Sequence, residues 1–138
     1  MGVGQNYVLD KGFLATGATA YTAGLILKPA VGSGGQVLNL NTVAIAGNAA
    51  TGLLVVCMED LDTVRLATGK AQINCALLGL VRVQTTAVAI TAGVKIASAA
   101  NGLARAAVST ENVLGFAMTG VGSSGGFIDV MLTPGTVF

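Results

Sequence analysis

The sequence predicts an all-β chain: a compact β-barrel or β-sandwich of short antiparallel strands with an extended N-terminal arm. Three observations lead there. Apolar residues make up 53% of the chain but aromatics only 4%, so the apolar weight lies in Ala, Val, Leu and Ile, and β-branched residues favour strands. Twenty glycines punctuate the chain, supplying the conformations that tight turns need. No window carries a helix-length apolar stripe at 3.6-residue spacing, while short apolar runs recur between turn signals, as in sandwiches and barrels. At 138 residues the chain is one domain by size. It is expected to divide into an arm, residues 1–13, and a single β-domain, residues 14–138.

The elements follow in order. Gly2 and Gly4 loosen the N-terminal stretch, while Tyr7, Val8, Leu9 and Phe13 give it large apolar groups. A terminus so equipped is expected to dock on a surface. Thr22-Ala23-Gly24 leads into a short strand, Leu25–Lys28. Gly32–Gly35 is a turn, Gln36–Leu40 alternates as a half-buried strand, and Val43–Ile45 is another. Leu53–Met58 is a continuous apolar run, expected to be buried on both faces. Beyond the acidic loop Glu59–Asp62, strands are expected at Ala71–Asn74, Leu77–Gln84 and Val94–Ala97. Asn101-Gly102 reads as a hairpin turn, with Leu103–Val108 returning. The Ala-rich stretch 97–107 leaves room for a short helix, since Ala favours helix. Val113–Met118 and Phe127–Leu132, joined by the Gly/Ser loop 120–126, are the clearest strands. One echo runs through this list: TAGLIL at residues 22–27 resembles TAGVKI at residues 91–96. On sequence alone it is read as a recurring hairpin solution to one geometry, without a claim of duplication.

Charge narrows the function classes. Only 9% of residues are charged, with a net charge of +1, against about 25% charged in an average soluble domain. A surface so sparsely charged is poorly protected against association, and the simplest reading is that other protein covers much of it. The seven basic residues are dispersed, with no stripe for a phosphate backbone, so no nucleic-acid partner is expected. Mean hydropathy is high at +0.77. Yet the longest uncharged stretch, Pro29–Met58, is interrupted by glycines and asparagines, and the first 13 residues lack the basic start and apolar run of a secretion signal. No membrane role is expected.

The motifs that could carry chemistry each have a plainer reading. Gly120-Val121-Gly122-Ser123-Ser124-Gly125 fits a dinucleotide-binding pattern, but a strand follows it where that pattern needs a helix. Glu59, Asp60 and Asp62 are too few, and wrongly spaced, for a calcium loop. Cys57 and Cys75 lie in apolar strand-like runs and read as buried free thiols, with a disulfide as the alternative. The chain has no His, which removes the commonest general base. No enzyme, metal or cofactor is expected.

The C-terminal third carries a more specific pattern. Residues 92–97 read AGVKIA, 101–106 NGLARA, 113–118 VLGFAM and 122–132 GSSGGFIDVML. This succession resembles the small capsid decoration (cement) proteins of tailed bacteriophages. The likeness spans residues 91–133, with a looser copy over residues 22–40, and does not extend to residues 41–90. It implies a compact β-domain on the outer surface of a phage capsid, assembled in the host cytoplasm. The domain would bind the major capsid protein and stabilise the shell, as a homotrimer in preference to a dimer. It implies no catalytic or ligand residue. Multivalent attachment of many copies suits such a role. Tyr7, Leu9 and Phe13 are then the expected protein-interaction anchors, because large apolar and aromatic groups dominate binding hot spots. The alternatives are another phage structural component (head fibre, vertex or tail) and a carbohydrate- or receptor-binding β-module.

Overall fold

The computed structural model describes residues 9–29 and 42–137. Nine strands run through them: β1 (Leu9–Ala15), β2 (Ile26–Pro29), β3 (Thr42–Ile45), β4 (Val55–Cys57), β5 (Gln72–Gln84), β6 (Lys95–Ser98), β7 (Ala104–Ala106), β8 (Asn112–Ala117) and β9 (Phe127–Val137). A single helical turn, α1 (Thr63–Leu66), is started by Asp62, whose carboxylate accepts the Arg65 N–H at 2.8 Å. Among the described residues no helix is long and apolar enough to cross a membrane. The chain is all-β, as expected.

Strand order is β1-β3-β2-β4-β5-β9-β8-β6-β7, and β5 also pairs with β1. The first five strands therefore close into a barrel. Its interior is packed by Phe13, Tyr21, Leu25, Leu27, Val43, Val55, Leu61, Ile73 and the two cysteines. Tyr21 is among the largest fully buried side chains, and its hydroxyl is satisfied by the Thr16 carbonyl 2.5 Å away, as a buried phenol requires.

The second half repeats the first. The Thr22-Ala23-Gly24 and Thr91-Ala92-Gly93 turns match bond for bond. Gly24 and Gly93 have φ of +96° and +91°. Gly24 N–H donates to Cys57 O and Gly93 N–H to Ala117 O; Leu25 O and Val94 O accept the N–H of Cys57 and Ala117 in return. Just before each turn lies an isolated two-way bridge, Tyr21 with Leu61 and Ile90 with Val121. Ile26 faces Val56, which faces Ala76, which faces Asp10; in the same places Lys95 faces Phe116, which faces Met131, which faces Leu80. Even a cap is matched: Glu59 accepts the Asn74 N–H, and the Thr119 hydroxyl accepts the Asp129 N–H, both at 2.9 Å. The short echo in the sequence is thus the visible part of a tandem structural repeat.

β5 belongs to both units. Residues 72–76 are the last strand of the first, flanked by β1 and β4; residues 79–84 are the first strand of the second, paired with β9. The side chains of Ile73 and Cys75 fill the first core, and those of Val81 and Val83 the second. Gly79, with φ of +105°, lies at the changeover. The stretches 71–74 and 77–84, expected as two strands, are consequently one strand of thirteen residues. Among the described residues the second ring is closed by a parallel bridge from Thr85 to Ala104.

The units also share a core. Ile26, Ala46, Leu54, Val56 and Ala76, on the outer wall of the first barrel, pack with Val81, Val83, Ile96, Leu114, Ile128 and Val130 of the second unit. This explains why β4 is buried on both faces, as its apolar run implied. The seam is tight. Gly102 donates its N–H to Ala46 O at 2.8 Å, and a Cβ there would meet Ile26 O at 2.8 Å. Buried Ser98 accepts the Ala50 N–H and donates to Gly47 O. Asn101 and Gly102 both take positive φ, +60° and +74°, fulfilling the expected turn within a 3-10 turn at Ala100–Gly102.

Two sequence expectations need adjustment. The strand expected at Gln36–Leu40 lies outside the described residues. The stretch read as an arm is barrel wall over Leu9–Phe13, because it hydrogen-bonds along β5 from Leu78 to Ile73 and turns Phe13 inward.

Two predictions test this packing. A Cβ at Gly115 would fall on the carbonyl of Met131 across β8 and β9, so Gly115→Ala should lower stability in urea by about 3 kcal/mol, the upper range for overpacking. Arg105 and Glu111 form a doubly hydrogen-bonded ion pair, with Glu111 also accepting the Val108 N–H. Arg105 holds the Glu111 carboxyl below its ordinary value of 4.5. A depressed carboxylate stabilises the fold above its unfolded pKa and loses that contribution as pH falls through the folded value. Glu111→Gln should therefore cost about 2 kcal/mol at neutral pH, a usual figure for hydrogen bonds to charge. The gap to wild type in urea titrations should narrow as pH drops below 4.5.

Candidate functional site

Alternation along a strand sends every second side chain to the opposite face, and a sheet with one solvated face normally puts polar groups there. The second unit departs from this. On its outer face Leu80, Met131 and Phe116 stand side by side on β5, β9 and β8, with Lys95 on β6 completing the row. Leu78 and Leu9, paired across β5 and β1, extend the apolar surface on one side. On the other side an exposed ion pair, Arg82 with Asp129 at 3.5 Å, separates the row from exposed Phe127. Met118, next to Asp129 through its N–H, is exposed as well. Apolar patches of this kind mark contact surfaces, and Met and Phe are enriched at the centre of protein interfaces.

The repeat shows what this face lacks. Of its counterpart on the first unit, Ala76, Val56 and Ile26 are covered by the second unit, and Asp10 at the end of the row is exposed. Ala76 is 0% exposed, whereas Met131 in the same place is 39% exposed. The row that joins the units inside the chain is thus presented a second time, enlarged from Val and Ala to Phe and Met, and among the described residues it is partly exposed, with Met131 the most open. Beside it a groove of about 270 Å³ runs between Met58 and Gly24 of the first unit and Leu80, Arg82 and Phe127 of the second.

The residues expected as anchors are placed differently from one another. Leu9 is 57% exposed, at the edge of this surface. Phe13 is 3% exposed, inside the first barrel; its side chain holds the chain's own core together and presents nothing to a partner. Tyr7 lies outside the described residues. Leu78, Leu80, Phe116 and Met131 were not singled out by sequence reasoning. The available signal was that Phe127–Leu132 carries apolar residues at both parities, which implies cover on both faces.

The other motifs resolve into structure. Glu59, Asp60 and Asp62 cap the N–H groups of Asn74, Ala23 and Arg65 respectively. The glycine loop between β8 and β9 lies against the segment before β6: a Cβ at Gly120 would meet Ile90 O at 2.8 Å, and one at Gly125 Thr86 O at 2.5 Å. Those glycines permit close backbone packing.

With this geometry in hand, the chain can be compared with known proteins. No family model matches the chain, and no curated protein does. Among solved structures the chain is similar to the head fibre gp8.5 N base of bacteriophage phi29, with a TM-score of 0.63 and 14% identity. The likeness covers 92% of this chain and 95% of that one. At that identity it is a likeness of fold, and it takes in both units.

Paired substitutions test the asymmetry between the repeats. Ala76→Gln should cost more than about 3 kcal/mol, because it overpacks and buries an amide without partners. Met131→Gln, at the equivalent place, should change stability by no more than about 0.5 kcal/mol. Urea midpoints of the two variants measure both.

Proposed function

We propose that this chain is a virion structural protein of a tailed bacteriophage that sits on the outer surface of the head, binds the major capsid protein and stabilises the shell. The observation that carries the reading is the likeness, over nearly the whole of both chains, to the base of a phage head fibre. Three further points support it. The 91–133 pattern resembles capsid decoration proteins. The chain has few charges to keep copies apart. Among the described residues, the outer face of the second unit offers a partly exposed apolar surface around Met131. In this reading the protein works by binding and performs no catalysis.

The apolar row Leu80–Met131–Phe116 is the self-association face, and its occupant is a second copy of this chain. The argument is internal: where the chain buries the same row in its first unit, a unit of this same fold covers it. A trimer is the preferred assembly, since cyclic closure uses each face once. The N-terminal stretch from Tyr7 to Leu9 then contacts the shell. The fold likeness also favours a second reading, in which the chain is the base of a head fibre. The two differ in how many copies a head takes.

Light scattering of the purified chain, alone and with isolated phage heads, tests the proposal. A trimer that fills every equivalent lattice position supports shell decoration. Saturation at a few sites supports the fibre base. A chain that ignores heads overturns both. Met131→Glu should give a folded monomer; an unchanged oligomer would sink the assigned face while leaving head binding to be read separately.

A further inference from the structure

The two cysteines face each other directly. Cys57 on β4 is the register partner of Cys75 on β5. Hydrogen bonding fixes the type of pair. Met58 donates its N–H to Asn74 O across these strands, while Cys57 sends its own N–H the other way, to Leu25 O on the β2 side. In an antiparallel ladder hydrogen-bonded and non-hydrogen-bonded pairs alternate, so Cys57 and Cys75 form a non-hydrogen-bonded pair. The Cα atoms of such pairs lie about 4.5 Å apart and their side chains approach closely. That spacing falls within the range of roughly 4.4–6.8 Å found for disulfides. Both side chains point into the first barrel and belong to the same packed cluster.

We infer that Cys57 and Cys75 are a disulfide site, whose bridge ties β4 to the strand shared by both units. In the reduced protein the thiols are engaged separately: Cys57 donates to Thr22 O at 2.8 Å, and Cys75 lies 3.8 Å from Ile73 O. Burial shields both. It raises the pKa of Cys57, and that of Cys75 rises to about 12, with Cys57 and Glu59 nearby adding to the burial effect. The nucleophile in disulfide exchange is the thiolate, so the closed barrel oxidises slowly. The bridge forms when the three-residue β4 is not yet seated, during folding or a local opening.

A small-molecule disulfide such as oxidised glutathione supplies the oxidant. One cysteine thiolate attacks a glutathione sulfur, forming a mixed disulfide and releasing a glutathione thiolate. The second cysteine thiolate attacks the protein sulfur of that mixed disulfide, forming the Cys57–Cys75 bond and releasing the second glutathione thiolate. Two protein thiols are oxidised, one glutathione disulfide is reduced to two thiols, and the two protons lost by the cysteines are taken up by them. The inference rests on strand register and does not depend on the proposed function.

The test is refolding of the full chain in glutathione buffers from reducing to oxidising. Wild type refolded under oxidising conditions should lose the mass of two hydrogens, yield a peptide linking Cys57 to Cys75, and resist alkylation after denaturation. Its melting temperature should rise by on the order of 10 °C over the reduced form, as for a bridge closing a short loop in a domain of this size. Cys57→Ser should form no bridge within the chain and show no gain in melting temperature under the oxidising buffer. Two fully alkylatable cysteines at every buffer ratio would overturn the inference. So would bridges only between chains, or an oxidised chain without its β-sheet circular dichroism, because the bond is inferred from native register.

Discussion

The pairing of β5 with strands from two units is the constraint on which the structure depends. One continuous backbone closes the first barrel through β1 and β4, then opens the second sheet through β9. Every other feature follows from that sharing. The units cannot be separated by a linker, so the outer wall of one becomes a lining of the other's core. The row Ile26–Val56–Ala76 is accordingly apolar and small on a face that would otherwise meet water. The seam closes only where Gly102 lets backbone approach backbone and where Ser98 satisfies the polar groups trapped between the halves.

The repeat also makes the surface legible. Two copies of one architecture carry different side chains at equivalent places, and the difference separates packing from presentation. Ala76 is small because another unit lies against it. Met131 is large and apolar yet 39% exposed among the described residues, and Phe116 beside it is half-buried.

Much of this was legible in the sequence. The Gly24 and Gly93 turns, the Asn101-Gly102 reversal, the doubly buried Val55–Cys57 centre of the Leu53–Met58 run and the β8 and β9 strands are local signals, and the structure has them, although Met58 at the end of that run is exposed. The repeat was legible only as TAG twice, because what the units share is hydrogen-bond register. Register tolerates Val, Phe, Ala and Met alike, so few identities survive to be seen. The sharing of β5 was hidden for a related reason: the strands expected from sequence stop at Asn74 and resume at Leu77, whereas the backbone runs on through Cys75 and Ala76 and is re-aimed at Gly79, inside the second of them. Phe13 shows the limit of reasoning from position. A large aromatic near a terminus suggests a docking group, but alternation along β1 decides which way it points, and that depends on a pairing with residues some sixty positions away in the chain.

Strand sharing has a mechanical meaning as well. Two domains on a flexible tether swivel, and a load on one reaches the other only when the tether is taut. Here a pull on either unit enters β5 and is met at once by ladders on both, loaded along their length so that many hydrogen bonds resist together. The chain behaves as a single stiff lever, and a partner gripping one end fixes the orientation of the other.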